Sequence, residues 1–259
     1  MKRQFLLGAV LLAGICFFCT ALYLYHEMKA PSETEVLEDE IRTEIIEPKP
    51  EEKMASVEEA LPEESGEYKS PIDFESLQKA NPDIYAWLYI EGTDISYPVL
   101  QHPEDDAYYL KHNSSGEKEK KGALYTEKTY NSKEFDDPLT VIYGHHMRSG
   151  EMFGKLQETY AEENAMEKHG EFIIYLPEEE IHYKVFAAVP YKNYHLLGND
   201  DTTNPDIFAE FLDSMYRIRA VGAVFNEDEK ATTDDKVVVL STCLIGNNKR
   251  RYLVLGKRI

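Results

Sequence analysis

Most of this 259-residue chain predicts a mainly β fold, a closed or nearly closed barrel of about eight strands with helices at its N-terminal side and one inserted late. Three observations carry that expectation. Short runs rich in β-branched and aromatic residues, bordered by turn formers, recur through the last two thirds of the chain. Few stretches keep an apolar period of 3.6 residues. No internal repeat or low-complexity tract interrupts the domain.

In chain order, Lys2 and Arg3 precede an uncharged stretch from Phe5 to Tyr25, which as a helix would run about 31 Å and cross a bilayer core. It leaves through Leu22-Tyr23-Leu24-Tyr25-His26-Glu27, which lacks a small-residue cleavage site. Residues 1–29 therefore read as a cytoplasmic tip and an uncleaved anchor of a single-pass membrane protein, with the remainder outside the cell. Cys16 and Cys19 would be apolar residues of that helix. Residues 30–67 read as an acidic, disordered stalk: Ser32 to Glu67 holds 14 acidic and 3 basic residues, too few apolar groups to offset the entropy of ordering. The formal net charge of −20 argues against nucleic acid as a partner.

Residues 68–259 form the predicted extracellular domain. Ile72-Asp73-Phe74 with Leu77, then Ile84, Trp87 and Leu88, predict one or two short helices broken at Asn81-Pro82. Strands are predicted at Ile95–Leu100, Gly122–Thr126, Leu139–Gly144, Glu171–Leu176, His182–Val189, Lys236–Thr242 and Arg251–Lys257. Two helices interrupt them. Met152, Leu156 and Tyr160 mark one. Asn204-Pro205, an N-cap with proline at the first helical position, opens the other, which carries Ile207, Phe208, Phe211, Leu212 and Met215 on one face.

Cys243 is the only cysteine outside the first twenty-five residues, so an exported domain could form no internal disulfide. It ends the run Val237-Val238-Val239-Leu240-Ser241-Thr242-Cys243. A thiol becomes a nucleophile beside positive charge or a base, and both stand at strand ends. His145 and His146 follow Thr140-Val141-Ile142-Tyr143-Gly144, and Arg250 and Arg251 open the strand after the Leu244–Lys249 loop. Neighbours on a strand point to opposite faces, so spacing leaves His145 and His146 open. No third ligand stands near the histidine pair, so no metal is expected, and no cofactor motif is present.

Leu240-Ser241-Thr242-Cys243, an arginine leading the next strand, and Tyr143-Gly144-His145-His146 about a hundred residues earlier together resemble the sortase transpeptidases. Ile72-Asp73-Phe74, Asn81-Pro82-Asp83-Ile84, Trp87-Leu88, Gly92-Thr93, Tyr97-Pro98-Val99 and Met152-Phe153 resemble class B in particular. The likeness runs from about Ile72 to Ile259. It implies a sortase-type barrel with a helix between the sixth and seventh strands, Cys243 as nucleophile, His145 as general acid/base and Arg251 as the third active-site residue. It also implies that Ser241, Thr242 and Tyr194 line the substrate groove. Leu244 and Ile245 stand where class B members often carry an acidic residue. The implied reaction cleaves an NPxTx-like sorting motif near the C-terminus of a surface protein after threonine, through a thioester, and joins it to the amine of a peptidoglycan precursor. A pilin-polymerising role, with a lysine of another subunit as acceptor, is the second expectation. A non-catalytic surface-binding module, which would leave Cys243 dispensable, is the third.

Overall fold

The structure, a computed structural model, describes residues 31–46, 68–162 and 164–259. The predicted anchor lies outside the described residues, as does the 47–67 part of the predicted stalk. Among the described residues no helix is long and apolar enough to cross a membrane.

Eight strands close a barrel: β1 (Ile84–Tyr89), β2 (Ser96–Leu100), β3 (Leu124–Tyr125), β4 (Leu139–Tyr143), β5 (Glu171–Tyr175), β6 (Glu180–Lys192), β8 (Val237–Leu244) and β9 (Asn247–Arg258). They run round the wall in the order β5-β1-β2-β3-β4-β8-β9-β6, and β6 pairs with β5 to close it. The β2–β3 and β4–β8 pairs are parallel and the others antiparallel. A two-residue β7 (Val224–Phe225) adds to β6 at Ala187 and Ala188, next to a register shift in the β6–β9 ladder between Val185 and Ala187.

Strand alternation decides what each residue faces. Ile142, Val238, Leu240, Tyr252 and Val254 point into the barrel with Leu88, Val99, Phe172 and Tyr183. Their neighbours Val141, Val237, Val239, Leu253 and Leu255 point outward, under Phe208, Phe211, Leu212 and Met215 of a helix at Pro205–Tyr216. Burying each of those helical side chains contributes about 2 kcal/mol. Asn204 caps this helix as its sequence predicts, accepting from the Asp206 N–H at 2.9 Å. It lies in the long β6–β8 connection, as expected of the inserted helix.

The structure differs from expectation at Ile84, Trp87 and Leu88, which lie on strand β1. Ile84 and Trp87 pack outward against N-terminal helices while Ala86 and Leu88 face the barrel interior. A strand buried on both faces loses its polar alternation, and the apolar positions that remain mimic helical spacing.

The second difference lies in the predicted stalk. Its first part forms a helix, α1 (Glu33–Ile46), that docks on the barrel beside α2 (Phe74–Ala80). Leu37, Ile41 and Ile45 recur every fourth residue and join the cluster of Ile72, Phe74, Leu77 and Trp87. That stripe is hidden in the sequence by the acids around it. Arg42 donates from Nε to the Ser96 carbonyl at 2.9 Å and covers the Tyr97 ring at 4.4 Å, and Lys121 pairs with Glu35 at 3.0 Å.

Glu38 on α1 is only 6% exposed, and its Oε1 has no partner among the described residues. Burial, opposed by Ser114 and the charges of Arg42 and Lys121, pushes its carboxyl up to about 7. Folded α1 therefore binds a proton that the undocked helix releases, so docking is strongest below pH ~4.5 and weakens as pH rises through 7, by about 3 kcal/mol in all. Hydrogen-exchange protection of residues 33–46, corrected for intrinsic rates, should fall at least about tenfold between about pH 5 and pH 8. Glu38→Gln should remove that dependence; equal pH dependence in both proteins would contradict the assignment.

Candidate active site

Two registers bring the predicted residues together. The parallel β4–β8 ladder sets Tyr143 opposite Ser241, and the Gly144 N–H continues it by donating to the Ser241 carbonyl at 3.1 Å. His145 is thus carried level with Cys243. The antiparallel β8–β9 ladder pairs Cys243 with Arg251, and Arg251 Nη1 donates to Cys243 Sγ at 3.0 Å. A guanidinium has no acceptor atom, so the sulfur is the acceptor. Cys243 is a free, partly exposed thiol. By strand parity Val141 and Tyr143, like Val239, Ser241 and Cys243, and like Leu253 and Arg251, belong to the outer face of the wall, and His145 follows two residues past the end of β4.

Local structure holds each residue. At Gly144 a Cβ would collide with the side chains of Leu124 and Phe153, so only glycine lets β4 pass that close before it releases His145. The Phe153 N–H donates to the His145 carbonyl at 3.1 Å. His145 Nε2 lies 2.8 Å from the Leu110 carbonyl. Since a carbonyl only accepts, Nε2 carries the hydrogen and Nδ1 is left to exchange a proton. The β8–β9 turn is Ile245-Gly246, with Gly246 at φ +72°, and the Ile245 N–H is held by Gln157 Oε1 at 2.9 Å. The ladder register shifts directly after Cys243, where Leu244 faces Asn247, so the thiol sits at the last regular rung.

Along the same outer face, Tyr125 stacks on its β4 register partner Tyr143 with ring centroids 5.4 Å apart. Burial pushes both phenols well above their ordinary value; Glu127 adds to this and the Arg251 charge opposes it. Both remain neutral donors near the arginine. At the rim, His195 Nε2 meets both carboxylate oxygens of Glu127 at 2.9 Å, while its Nδ1 accepts from the Gly198 N–H at 2.7 Å and caps the short helix α5 (Leu196–Asn199), which follows α3 (Leu156–Ala161) and α4 (Ala165–Lys168) in the chain. Glu127 and His195 stand 68 positions apart in loops, and neither carried a motif in the sequence. Leu110 acts through its backbone carbonyl, for which side-chain patterns give no signal.

The predicted groove residues are placed unequally. Ser241 shares the face of Cys243 but is only 5% exposed. Tyr194 is half-buried just past the end of β6, its hydroxyl donating to Asp200 Oδ1 at 3.1 Å and its ring under Lys192 Nζ at 3.9 Å. Thr242 does not fit the expected role. It is 1% exposed, and strand parity turns it into the barrel interior beside Leu240 and Tyr252, where its hydroxyl has no partner among the described residues. His146 leaves the ladder and bridges to Met152, and Arg250 is exposed at the end of the β6–β9 ladder. Among the described residues no three histidine, cysteine or acidic side chains gather in a metal-binding arrangement.

The chain matches the sortase domain over residues 88–259. Sortase B of Listeria monocytogenes is 31% identical over 189 residues, 72% of this chain and 74% of that one. The Staphylococcus aureus sortase B–substrate complex superposes with a TM-score of 0.61 at 28% identity, covering 74% of this chain and 86% of that chain. Spy0129 of Streptococcus pyogenes, a class B sortase involved in pilus biogenesis, superposes with a TM-score of 0.60 at 28% identity over 73% of this chain and 98% of its own. With the closed barrel and the placement of Cys243 and Arg251, these likenesses show that the chain belongs to the sortase family, in class B, and is a cysteine transpeptidase.

Proposed function

We propose that this transpeptidase is held in the membrane by residues 5–25 with its barrel outside the cell, cleaves an NPxTx-like sorting motif after threonine, and joins the released surface protein to a peptidoglycan amine. The observation that carries the chemistry is the 3.0 Å contact from Arg251 Nη1 to Cys243 Sγ between facing residues of adjacent strands. It sets a permanent positive charge against the attacking atom.

In this reading the Cys243 thiol passes its proton to Nδ1 of His145 as the sulfur adds to the threonine carbonyl, and Arg251 stabilises the oxyanion that develops. His145 delivers a proton from Nδ1 to the departing amine as the C–N bond breaks, leaving a thioester. An incoming amine then adds to the thioester carbonyl and loses its proton to His145, and the C–S bond breaks as His145 returns that proton to the sulfur, restoring the thiol. Tyr125 and Tyr143 floor the groove beside Arg251, with Ser241 beneath them and Tyr194 at its edge. As neutral phenols they do not compete for the arginine as phenolates would.

A second reading is supported by the likeness to the S. pyogenes enzyme of pilus biogenesis: the acceptor would then be a lysine of another protein subunit. A panel of acceptors separates the two, since a peptidoglycan stem amine and a folded pilin lysine differ in everything but the reacting nitrogen.

Intact-mass spectrometry of the full chain in nonionic detergent, mixed with NPxTx- and LPxTG-type peptides, should show an acyl adduct that is absent in Cys243→Ala and is consumed by an amine. Arg251→Ala should slow adduct formation about 10²–10³-fold with the circular dichroism unchanged. His145→Ala should cost about 10²–10⁴-fold, and His146→Ala should stay within a few-fold of the parent; equal losses from the two histidine changes would refute the assignment of His145. Because Thr242 points inward with an unpaired hydroxyl, Thr242→Val should leave adduct formation within about twofold and thermal stability equal or higher; a large loss of rate would return Thr242 to the groove.

A further inference from the structure

The two hydrogen bonds that hold His145 come from separate loops. The Leu110 carbonyl, in the segment leading into β3, meets its ring, and the Phe153 N–H, in the segment leaving β4, meets its own carbonyl. Lys121 stands where those segments approach each other. On the β3 side, the Ala123 N–H donates to the Tyr109 carbonyl at 3.0 Å, and a Cβ on Gly122 would press on the backbone of Tyr109 and Leu110. The placement of Lys121 and that of the Leu110 carbonyl therefore go together.

The Lys121 ammonium gathers three carboxylates from three parts of the chain. Its Nζ lies 3.0 Å from Glu35 Oε1 of α1, 3.6 Å from Glu119 Oε2 ahead of β3 and 4.0 Å from Glu151 Oε1 after β4. Glu151 is held by the Ser149 hydroxyl at 2.5 Å and directly precedes Met152, which bridges to His146, and Phe153. Burial lowers the Lys121 ammonium, but the hydrogen bond and attraction of Glu35, with Glu119 and Glu151, outweigh it and hold the group above the ordinary lysine value. Helix α1 closes the arrangement from outside. Between it and the barrel lies a cavity of about 230 Å³, lined by Glu35, Glu38 and Arg42 of the helix and by Lys121, Leu124 and Met152 behind the histidine supports.

We propose that Lys121 is a positioning residue for His145: fixed by Glu35 of the docked α1, its ammonium draws the Glu151 and Leu110 segments together and so sets the orientation of the imidazole. The proposal rests on the proton transfers assigned to His145 above, and it makes the N-terminal helix part of what aims the histidine. Without the ammonium, Glu35, Glu119 and Glu151 would face one another as like charges and push the two segments apart. A displacement of about 1 Å at a reacting group is enough to cost about 10²-fold in rate.

The test follows acylation of the full chain in nonionic detergent by intact mass, using whichever peptide of the NPxTx and LPxTG panel labels the parent fastest. Lys121→Gln should lower the limiting rate about ten- to a hundredfold while the half-saturating peptide concentration stays within about twofold. Lys121→Arg, which keeps the charge, should recover most of the loss, and Lys79→Gln, an exposed charge on α2, should match the parent. In the His145→Ala background Lys121→Gln should change the rate by less than about twofold, because a residue that acts through the histidine then has nothing to position. With ¹⁵N-labelled histidine at about pH 8.5, where an ordinary imidazole is neutral, His145 should show the Nε2–H tautomer in the parent and a mixture in Lys121→Gln. A parent-like rate in Lys121→Gln, an equal loss with and without His145, or a loss confined to the half-saturating concentration would overturn the proposal while leaving acylation intact. Should circular dichroism show Lys121→Gln unfolded, Glu151→Gln, which keeps the Lys121–Glu35 pair, should still slow acylation about threefold or more, and a parent-like rate there would overturn it. Absence of any adduct from the folded parent would overturn the proposed function and this inference with it.

Discussion

The whole site depends on strand register. One parallel ladder, β4 on β8, and one antiparallel ladder, β8 on β9, set three residues from distant parts of the chain side by side, and a slip of one residue in either would turn a member of the set to the opposite face. Burial of both faces of these strands enforces the register. Val238 and Leu240 fill the barrel while Val237 and Val239 meet the Pro205–Tyr216 helix, so a one-residue slip would put Val239 or Ser241 where Leu240 fills the barrel and leave a void. The apolar run before Cys243 is thus part of the positional machinery of the thiol.

That dependence also explains the distribution of rigidity. Arg251 and Cys243 stand on rungs of a continuous ladder, where backbone pairing restrains their Cα positions. His145 stands two residues past the end of β4 and needs other supports: a glycine that fits between Leu124 and Phe153, a backbone bond from Phe153, and the carbonyl of Leu110. His145 is therefore fixed by loops, which adjust more readily than strands. The groups that carry the sulfur and the charge are fixed by the sheet.

The barrel, its late helix and the cysteine–arginine pairing were legible in the sequence because they rest on local signals: strand runs, an Asn-Pro helix start, and a glycine turn short enough to fold Arg251 back on Cys243. Strand β1 was not, since two-sided burial erased its alternation. Helix α1 was hidden for another reason. Its stripe of Leu37, Ile41 and Ile45 is short and surrounded by acids, and what stabilises it is a receiving surface made by residues of the barrel and α2, invisible to a local reading. Thr242 was misplaced because a motif names neighbours in sequence, while parity separates them in space. The Glu127–His195 pair and the Leu110 carbonyl join loops far apart in sequence and leave no periodic trace.

The docking of α1 changes what the acidic N-terminal segment can do mechanically. Helix α1 is held on the barrel through Leu37, Ile41 and Ile45, and Tyr68 through Glu180. With residues 5–25 as the proposed anchor, the leash is only the chain from residue 26 to α1, whose full extension is about 25 Å. Such a leash would confine the barrel to a thin layer above the bilayer and limit which of its faces could turn toward the lipid. The enzyme would then work as a surface-bound catalyst, its encounters with membrane-attached substrates taking place in two dimensions.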